Sequence, residues 1–311
     1  MAKTAEIPVV WLQGAACTGC VVGLLNSFSP GISRLVLRDL VPGKHVSLRF
    51  ITAAMAGQGH QVLDVLHDEA VKDRGRYILV MDGALPLGHE MYGTLGEVDG
   101  PGSTGLPRPG GREVPIAEHA VALAKKAMAV VCMGTCSAFG GIPAGAPNPT
   151  GAVSMGDLLA REGLDVPLIN VPGCPPHPDW LVGTLVAVAL YGLGTVAGTL
   201  DDLKRPKMFY GKCIHETCPR RADFDAARLA KNFGDPGCLY LLGCKGPVSF
   251  ADCPTRMFNS GTNWCIGAGA PCHGCVEPDY PDRLSPLYEK LDDERLNRFR
   301  LFEAAPARPT D

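Results

Sequence analysis

No run of eighteen apolar residues occurs in this 311-residue chain. The most apolar helical stretch, Trp180 to Tyr191, is too short to span a bilayer and reads as a core helix. A basic N-terminal segment followed by an apolar one is also missing. As written, the chain carries no export signal and is expected in the cytoplasm, or in the periplasm if a signal has been removed. No sign of charge dominates. The 29 Lys and Arg residues face 32 acidic ones, a net charge of −3, which leaves no electrostatic footprint for nucleic acid. A disulfide framework lacks its even count. Thirteen cysteines are odd, the chain is large, and their clustered spacing points to metal.

What is present is enough for a real core: 46% of residues are hydrophobic and 20% charged, consistent with one large domain or two ordinary ones. Glycine and proline, 38 and 27 residues, concentrate between 100 and 150 and after 234. Such stretches build loops that wrap something.

The first two thirds alternate strand and helix signals. Pro8 to Leu12, Val46 to Phe50, Tyr77 to Met81, Ala129 to Val131 and Pro167 to Val171 read as strands. Helical spacing falls on Val21 to Phe28, Gln61 to Val71, Ile116 to Lys126, Met155 to Arg161 and Trp180 to Tyr191, the last with Asp179 as N-cap and Gly192 or Gly194 as stop. Residues 84 to 115 read as a long glycine- and proline-rich insertion. The alternation predicts an α/β fold, a doubly wound parallel sheet. Ligands in such sheets bind beyond the carboxyl ends of the strands. There the turns Gly14-Ala15-Ala16-Cys17-Thr18-Gly19-Cys20, Gly134-Thr135-Cys136 and Gly173-Cys174 bring four thiols to one edge. A helix start beside Cys17 and Cys20 is expected to lower their pKa. Cys132 lies inside its strand and reads as core. Asp82 closes a strand on the same edge and either lines a partner surface or caps a turn.

After about residue 195 the periodicity fades. Cys213, Cys218, Cys238, Cys244, Cys253, Cys265, Cys272 and Cys275 fall within 63 residues, with one helix expected from Asp223 to Asn232. A segment with so little core needs metal to hold it. The domains are therefore expected at 1–194 and 195–311, with a charged tail after Ser285. Composition alone leaves zinc and iron–sulfur level. Three features favour iron–sulfur: proline beside Cys174, Cys218 and Cys253, glycines that let backbone N–H groups approach sulfur, and three sites in one chain, which suit electron relay.

Six motifs carry a resemblance. They are Gly14 to Cys20, Gly134-Thr135-Cys136, Gly173-Cys174-Pro175-Pro176, His215-Glu216-Thr217-Cys218-Pro219-Arg220, Leu242-Gly243-Cys244-Lys245-Gly246-Pro247 and Cys272-His273-Gly274-Cys275-Val276-Glu277-Pro278. From about Val9 to Tyr288 the chain resembles the small, electron-transferring subunit of nickel–iron hydrogenases. The resemblance implies a flavodoxin-like domain followed by an irregular iron–sulfur domain. It implies that Cys17, Cys20, Cys136 and Cys174 hold a proximal 4Fe–4S cluster. His215, Cys218, Cys238 and Cys244 would hold a distal one, and Cys253, Cys272 and Cys275 a medial one. It also implies a large hydrogenase subunit that carries the nickel–iron centre, and an external acceptor such as a cytochrome, a ferredoxin or another redox protein.

Several departures matter. Cys265 follows Asn263-Trp264 where many relatives have proline and a three-iron (3Fe–4S) medial cluster. A fourth thiolate should complete a 4Fe–4S cube and lower its potential. Cys265, with Val171 to Trp180, resembles most the nickel–iron–selenium branch. Ala16 stands where many relatives carry glutamate, so any proton role of that carboxylate is absent. Gly19 and Gly141 replace the two extra cysteines of oxygen-tolerant relatives, which argues against a six-cysteine proximal cluster. Cys213 is by chemistry the better iron ligand than His215, but the motif places the histidine. His177 reads as loop filler and His273 as a hydrogen-bond donor. Lys212, Arg220, Arg221 and Lys245 form either a basic collar that steers an acidic carrier or a solvated face. The rival readings are a zinc-braced interaction protein and the one-cluster relative found in respiratory complex I.

Overall fold

Strand β1 (Ala5–Gln13) is apolar along most of its length, and Val9 to Leu12 are buried. Every residue of β4 (Ile78–Asp82) and β7 (Ala129–Met133) is buried too. Continuous apolar runs of this kind suit strands covered on both faces. With β2 (Asp39–Val41), β3 (Lys44–Ile51) and β8 (Leu168–Val171) they form one six-stranded sheet in the order β2-β3-β1-β4-β7-β8. All neighbours are parallel except the edge pair β2–β3. The five parallel strands, taken in chain order, follow the flavodoxin-like sequence 2-1-3-4-5, whose switch point lies between β1 and β4. The computed structural model describes residues 5–31, 39–41, 43–57, 62–66, 75–89, 92–98 and 112–290.

Register sets the strand ends level. Gln13 pairs with Asp82, Asp82 with Met133, and Met133 with Val171. The chain therefore leaves four adjacent strands at one height, and each exit loop opens on the same edge. Helix α1 (Gly19–Leu25) follows the loop after β1, and the short α3 (Thr135–Phe139) follows β7. The main core gathers Leu12, Leu79, Met81, Leu85, Val130 and Cys132 with residues of α2 (Ile116–Ala124) and α4 (Met155–Arg161).

Local chemistry fixes the helix starts. Ser154 Oγ accepts the Asp157 N–H at 3.1 Å and the Asp157 carboxylate accepts the Ser154 N–H at 3.4 Å, a capping box ahead of α4. Ser154→Ala should lower stability by about 1 kcal/mol in urea unfolding. Helix α5 spans Pro178–Tyr191 and ends at Gly192. Its cap is His177, not Asp179: the His177 Nδ1 accepts the Asp179 N–H at 3.0 Å, which puts Asp179 inside the first turn. Between β8 and residue 206 the chain returns to the sheet. Asn170 donates its N–H to Lys204 O at 2.8 Å and its amide to Leu203 O at 2.9 Å, which covers part of the open edge of β8.

The insertion is more ordered than its composition suggests. β5 (Thr94–Val98) and β6 (Arg112–Pro115) form an antiparallel pair within it. Of the helix expected at Gln61 to Val71, residues 62–66 are helical. The remainder, residues 99–111 and the tail beyond Lys290 lie outside the described residues.

The chain divides into two compact units, Met1–Pro206 and Lys207–Asp311. The second contains short turns of helix: Lys207–Tyr210, Ile214–Thr217, Arg221–Asp225 and Cys253–Arg256. The helix expected to reach Asn232 stops at Asp225. Ala227 takes a left-handed φ of 55°, and the following residues pair with the Cys238 segment instead. There Cys238 N–H donates to Arg228 O and Ala230 N–H to Cys238 O, both at 2.9 Å.

Candidate metal centres

None of the thirteen cysteines is in a disulfide. Of the twelve candidate donors, the eleven thiols fall into three groups, and His215 lies three residues before Cys218 of the second.

The first group sits on the level sheet edge. Gly14 N–H donates to Asp82 O at 2.7 Å, and Ala15 and Ala84 exchange N–H···O bonds of 2.8 and 3.1 Å. On the other side, Gly134 N–H donates to Val171 O at 2.9 Å, and Gly173 N–H donates to the Thr135 hydroxyl at 2.9 Å. These ties bring Cys17, Cys20, Cys136 and Cys174 together. Burial pushes Cys20 far up, and the charges of Asp82, Cys136 and Cys17 push it further. Cys136 is pushed up to about 12 by burial, with Cys174 and Cys17 acting in the same sense. The expected lowering by a helix start is thus reversed for Cys20. Helix α1 is seven residues long, and burial outweighs its dipole. Gly134 has φ 86° and ψ 156°, and a Cβ there would stand 2.6 Å from Cys20 Sγ.

The second group lies in the second unit. The charges of Cys238 and Cys218 act on Cys244, whose thiol is pushed up to about 11, chiefly by burial. His215 projects from Ile214–Thr217, its ring edge-on to Phe224 at 4.6 Å between centroids. Burial, then the Arg221 charge, lower its pKa, so it is held as the neutral imidazole that binds metal. Cys213 points elsewhere. Its thiol donates to the carbonyls of Gly246 and Pro247 at 3.3 and 3.4 Å, and its charged neighbours are Glu216 and Glu277.

The third group gathers Cys253, Cys265, Cys272 and Cys275. Burial pushes Cys253 well above the usual thiol range, and Cys275 and Cys265 add to it. Burial does the same to Cys272, followed by Cys244, Cys275 and Cys253. Cys272 therefore adjoins both the second and third groups, and Lys245 N–H donates to its carbonyl at 2.7 Å.

One local device recurs in all three. Gly19 N–H donates to Cys17 Sγ, Gly246 N–H to Cys244 Sγ and Gly274 N–H to Cys272 Sγ, each at 3.4 Å. The Cys-x-Gly spacing turns a backbone donor onto sulfur. Such bonds stabilise sulfur that carries negative charge and tune iron–sulfur centres. As protonated thiols these buried sulfurs gain nothing from crowding together, and as bare thiolates they repel. Iron in their midst removes both penalties, so the donor set fits the clusters the resemblance implies. Among the described residues no three His, Cys, Asp or Glu side chains are grouped as one metal ion would need. A cube spreads its four ligands over four irons. A surface groove of about 780 Å³, lined in part by Leu87, Val121, Leu158 and Arg161, holds none of these thiols.

Other expectations change. Asp82 is not a surface residue, and the Gly83 N–H lies in hydrogen-bond reach of its carboxylate, as in a turn cap. It is 1% exposed, accepts from Gln13 Nε2 at 3.2 Å, and lies in hydrogen-bond reach of the Cys20 thiol. Burial raises its pKa, and its Oδ1 has no hydrogen-bond partner. The basic collar is broken. Lys245 is buried, Arg221 pairs with Asp225 at 2.8 Å, and Arg220 donates to Gly237 O at 2.7 Å, while Lys212 is exposed. Cys132 is core, its thiol pushed up to about 12 by burial. Glu277, within the Cys272 to Pro278 motif, is buried and accepts the Phe250 N–H at 2.7 Å.

Comparison with known proteins extends these observations. Residues 17–188 match a family model described as NADH ubiquinone oxidoreductase, 20 Kd subunit. Residues 210–288 match one for the C-terminal region of the NiFe/NiFeSe hydrogenase small subunit. The periplasmic NiFeSe hydrogenase small subunit of Desulfomicrobium baculatum is 44% identical over 288 residues, which cover 91% of this chain and 87% of that protein. The quinone-reactive Ni/Fe-hydrogenase small chain of Wolinella succinogenes is 38% identical over 93% of this chain and 77% of its own length. A solved structure of the H2-activated D. baculatum NiFeSe hydrogenase superposes with a TM-score of 0.83 at 42% identity, covering 92% of this chain and 99% of that one. The first family model alone would also suit a complex I protein. The second model and the full-length relatives decide the matter: this chain belongs to the small-subunit family of nickel–iron hydrogenases, the electron-transferring chains of these oxidoreductases.

Proposed function

We propose that this chain holds three 4Fe–4S clusters and relays electrons between a nickel–iron centre in a large partner subunit and an external redox protein. The observation that carries this reading is the sorting of the thiols into three mutually interacting groups, each with its Cys-x-Gly donor. Cys17, Cys20, Cys136 and Cys174 hold the proximal cluster. His215, Cys218, Cys238 and Cys244 hold the distal one. Cys253, Cys265, Cys272 and Cys275 hold the medial one, with Cys265 as the ligand that separates a four-iron from a three-iron centre. A cluster so held stores one electron at a potential set by its net charge, hydrogen bonds to sulfur and access to water.

The residues around the first group support the pairing with a large subunit. Val22, Leu25 and Ile142 are each more than half exposed, on the segments that carry Cys17, Cys20 and Cys136. Apolar side chains gathered around a redox ligand suit a covered interface. Among the described residues no helix is long and apolar enough to cross a membrane. The D. baculatum relative is named periplasmic, which favours that compartment for this chain.

Metal content tests the reading. About twelve irons in this chain, with acid-labile sulfide, support three cubes. Iron near zero with stoichiometric zinc returns the zinc-braced alternative. The choice of His215 over Cys213 has its own test. His215→Ala should remove the distal signal in electron paramagnetic resonance. Cys213→Ala should keep all three clusters and cost about 1 kcal/mol, the worth of a lost hydrogen bond.

A further inference from the structure

Lys245 is 1% exposed. Its ammonium donates to the carbonyls of Pro286 and Glu289 at 3.2 and 2.6 Å. The backbone is fixed as well. Its carbonyl accepts the Ser249 hydroxyl at 2.7 Å, and its N–H donates to Cys272 O at 2.7 Å. The residue follows Cys244 directly in the chain, and its Cβ would be 3.4 Å from a Cβ built on Gly274. The Lys245 backbone and Cβ thus stand where the Cys244 loop and the Cys272–Cys275 loop meet, and its ammonium lies buried against the Pro286 and Glu289 carbonyls.

A buried ammonium favours negative charge close by. The two thiolate-bound clusters assigned above would supply it. We propose that Lys245 is a positioning residue for charge, whose buried ammonium raises the reduction potentials of the medial and distal clusters together. The proposal rests on the ligand assignment of the previous subsection. Cluster potential follows local net charge, and a positive group in a dry interior stabilises the reduced, more negative state. Because Lys245 adjoins both loops, its charge acts on both clusters and not on one alone.

The test uses the purified complex carrying Lys245→Gln, which keeps a donor for the two carbonyls, Lys245→Met, which keeps length alone, and Lys245→Arg, which keeps the charge. Redox titration followed by electron paramagnetic resonance reads each cluster. The neutral variants should lower the reduction equilibrium constants of the medial and distal clusters about tenfold, or about 59 mV for a one-electron step. The proximal potential should not move, and Lys245→Arg should stay near the parent. Unchanged potentials in loaded neutral variants overturn the proposal. An equal shift of all three clusters overturns it as well. So does loss of both clusters from Gln and Met variants alike, which would make Lys245 a strut. Absence of clusters from the unsubstituted complex would instead sink the ligand assignment itself.

Discussion

Gly134→Ala should strip the complex of about four irons and slow hydrogen-driven acceptor reduction about 100-fold, the upper end of what disrupted metal shells cost. Two effects add at this position. The backbone there, at φ 86° and ψ 156°, lies in a region essentially reserved for glycine. The new methyl would also stand 2.6 Å from Cys20 Sγ, well inside contact distance. The strain alone costs about 1–3 kcal/mol, which a core of this size absorbs. The clash cannot be absorbed so easily, because Gly134 N–H is tied to Val171 O at 2.9 Å and the Cys20 side chain has Met133 O and Asp82 around it. Cys20 must move, and one corner of the first group goes with it. The medial and distal signals, held in the second unit, should persist. A variant with a full iron complement and an unchanged proximal signal would contradict the geometry described for this edge.

Cys265→Pro should convert the medial centre from four irons to three. The expected readouts are the loss of about one iron, a new signal from an oxidised three-iron centre, and a higher medial potential. The substitution spares the loop's carbonyl hydrogen bond. Cys265 is an exposed residue whose carbonyl accepts the Ala270 N–H at 2.9 Å, and proline keeps that carbonyl. Its own N–H turns towards its own sulfur, so thiol and donor leave together. Trp264, buried and braced by the Asn263 side chain at 2.9 Å, anchors the loop from the other side. An unaltered four-iron signal after this substitution would remove Cys265 from the ligand set.

The strands were the most legible part of the chain. Tyr77 to Met81 and Ala129 to Val131 are unbroken apolar runs, and both form strands buried on both faces. Strand ends next to cysteine then sufficed to place four thiols on one edge, because parallel register leaves the strands at one height. Pattern reading failed where tertiary partners overrule local preference. Asp223 to Asn232 has the composition of a helix, but hydrogen bonds joining Arg228 and Ala230 to Cys238 draw the chain away after Asp225. The β5–β6 pair is hidden because Gly96 and the charged residues around it dilute any alternation.

Charge near the sites was the least legible feature. Asp82 and Lys245 are residue types that ordinarily face water, so nothing in their sequence marks them as buried. Each is held by partners remote in the chain: Gln13 and Cys20 for Asp82, Pro286 and Glu289 for Lys245. The thiol pKa values went the same way. A helix start predicts a lowered Cys20, but the packing around it raises it. Such thiols release their protons when metal binds, so loading this chain with iron is coupled to deprotonation.

The most direct test of the central claim is an anomalous-scattering map from crystals of the complex, collected on both sides of the iron edge. The account predicts three separate iron peaks within this chain: one bounded by Cys17, Cys20, Cys136 and Cys174, one by His215, Cys218, Cys238 and Cys244, and one by Cys253, Cys265, Cys272 and Cys275. Peaks that appear instead at the zinc edge, or sulfur atoms joined in disulfides with no iron between them, would contradict it.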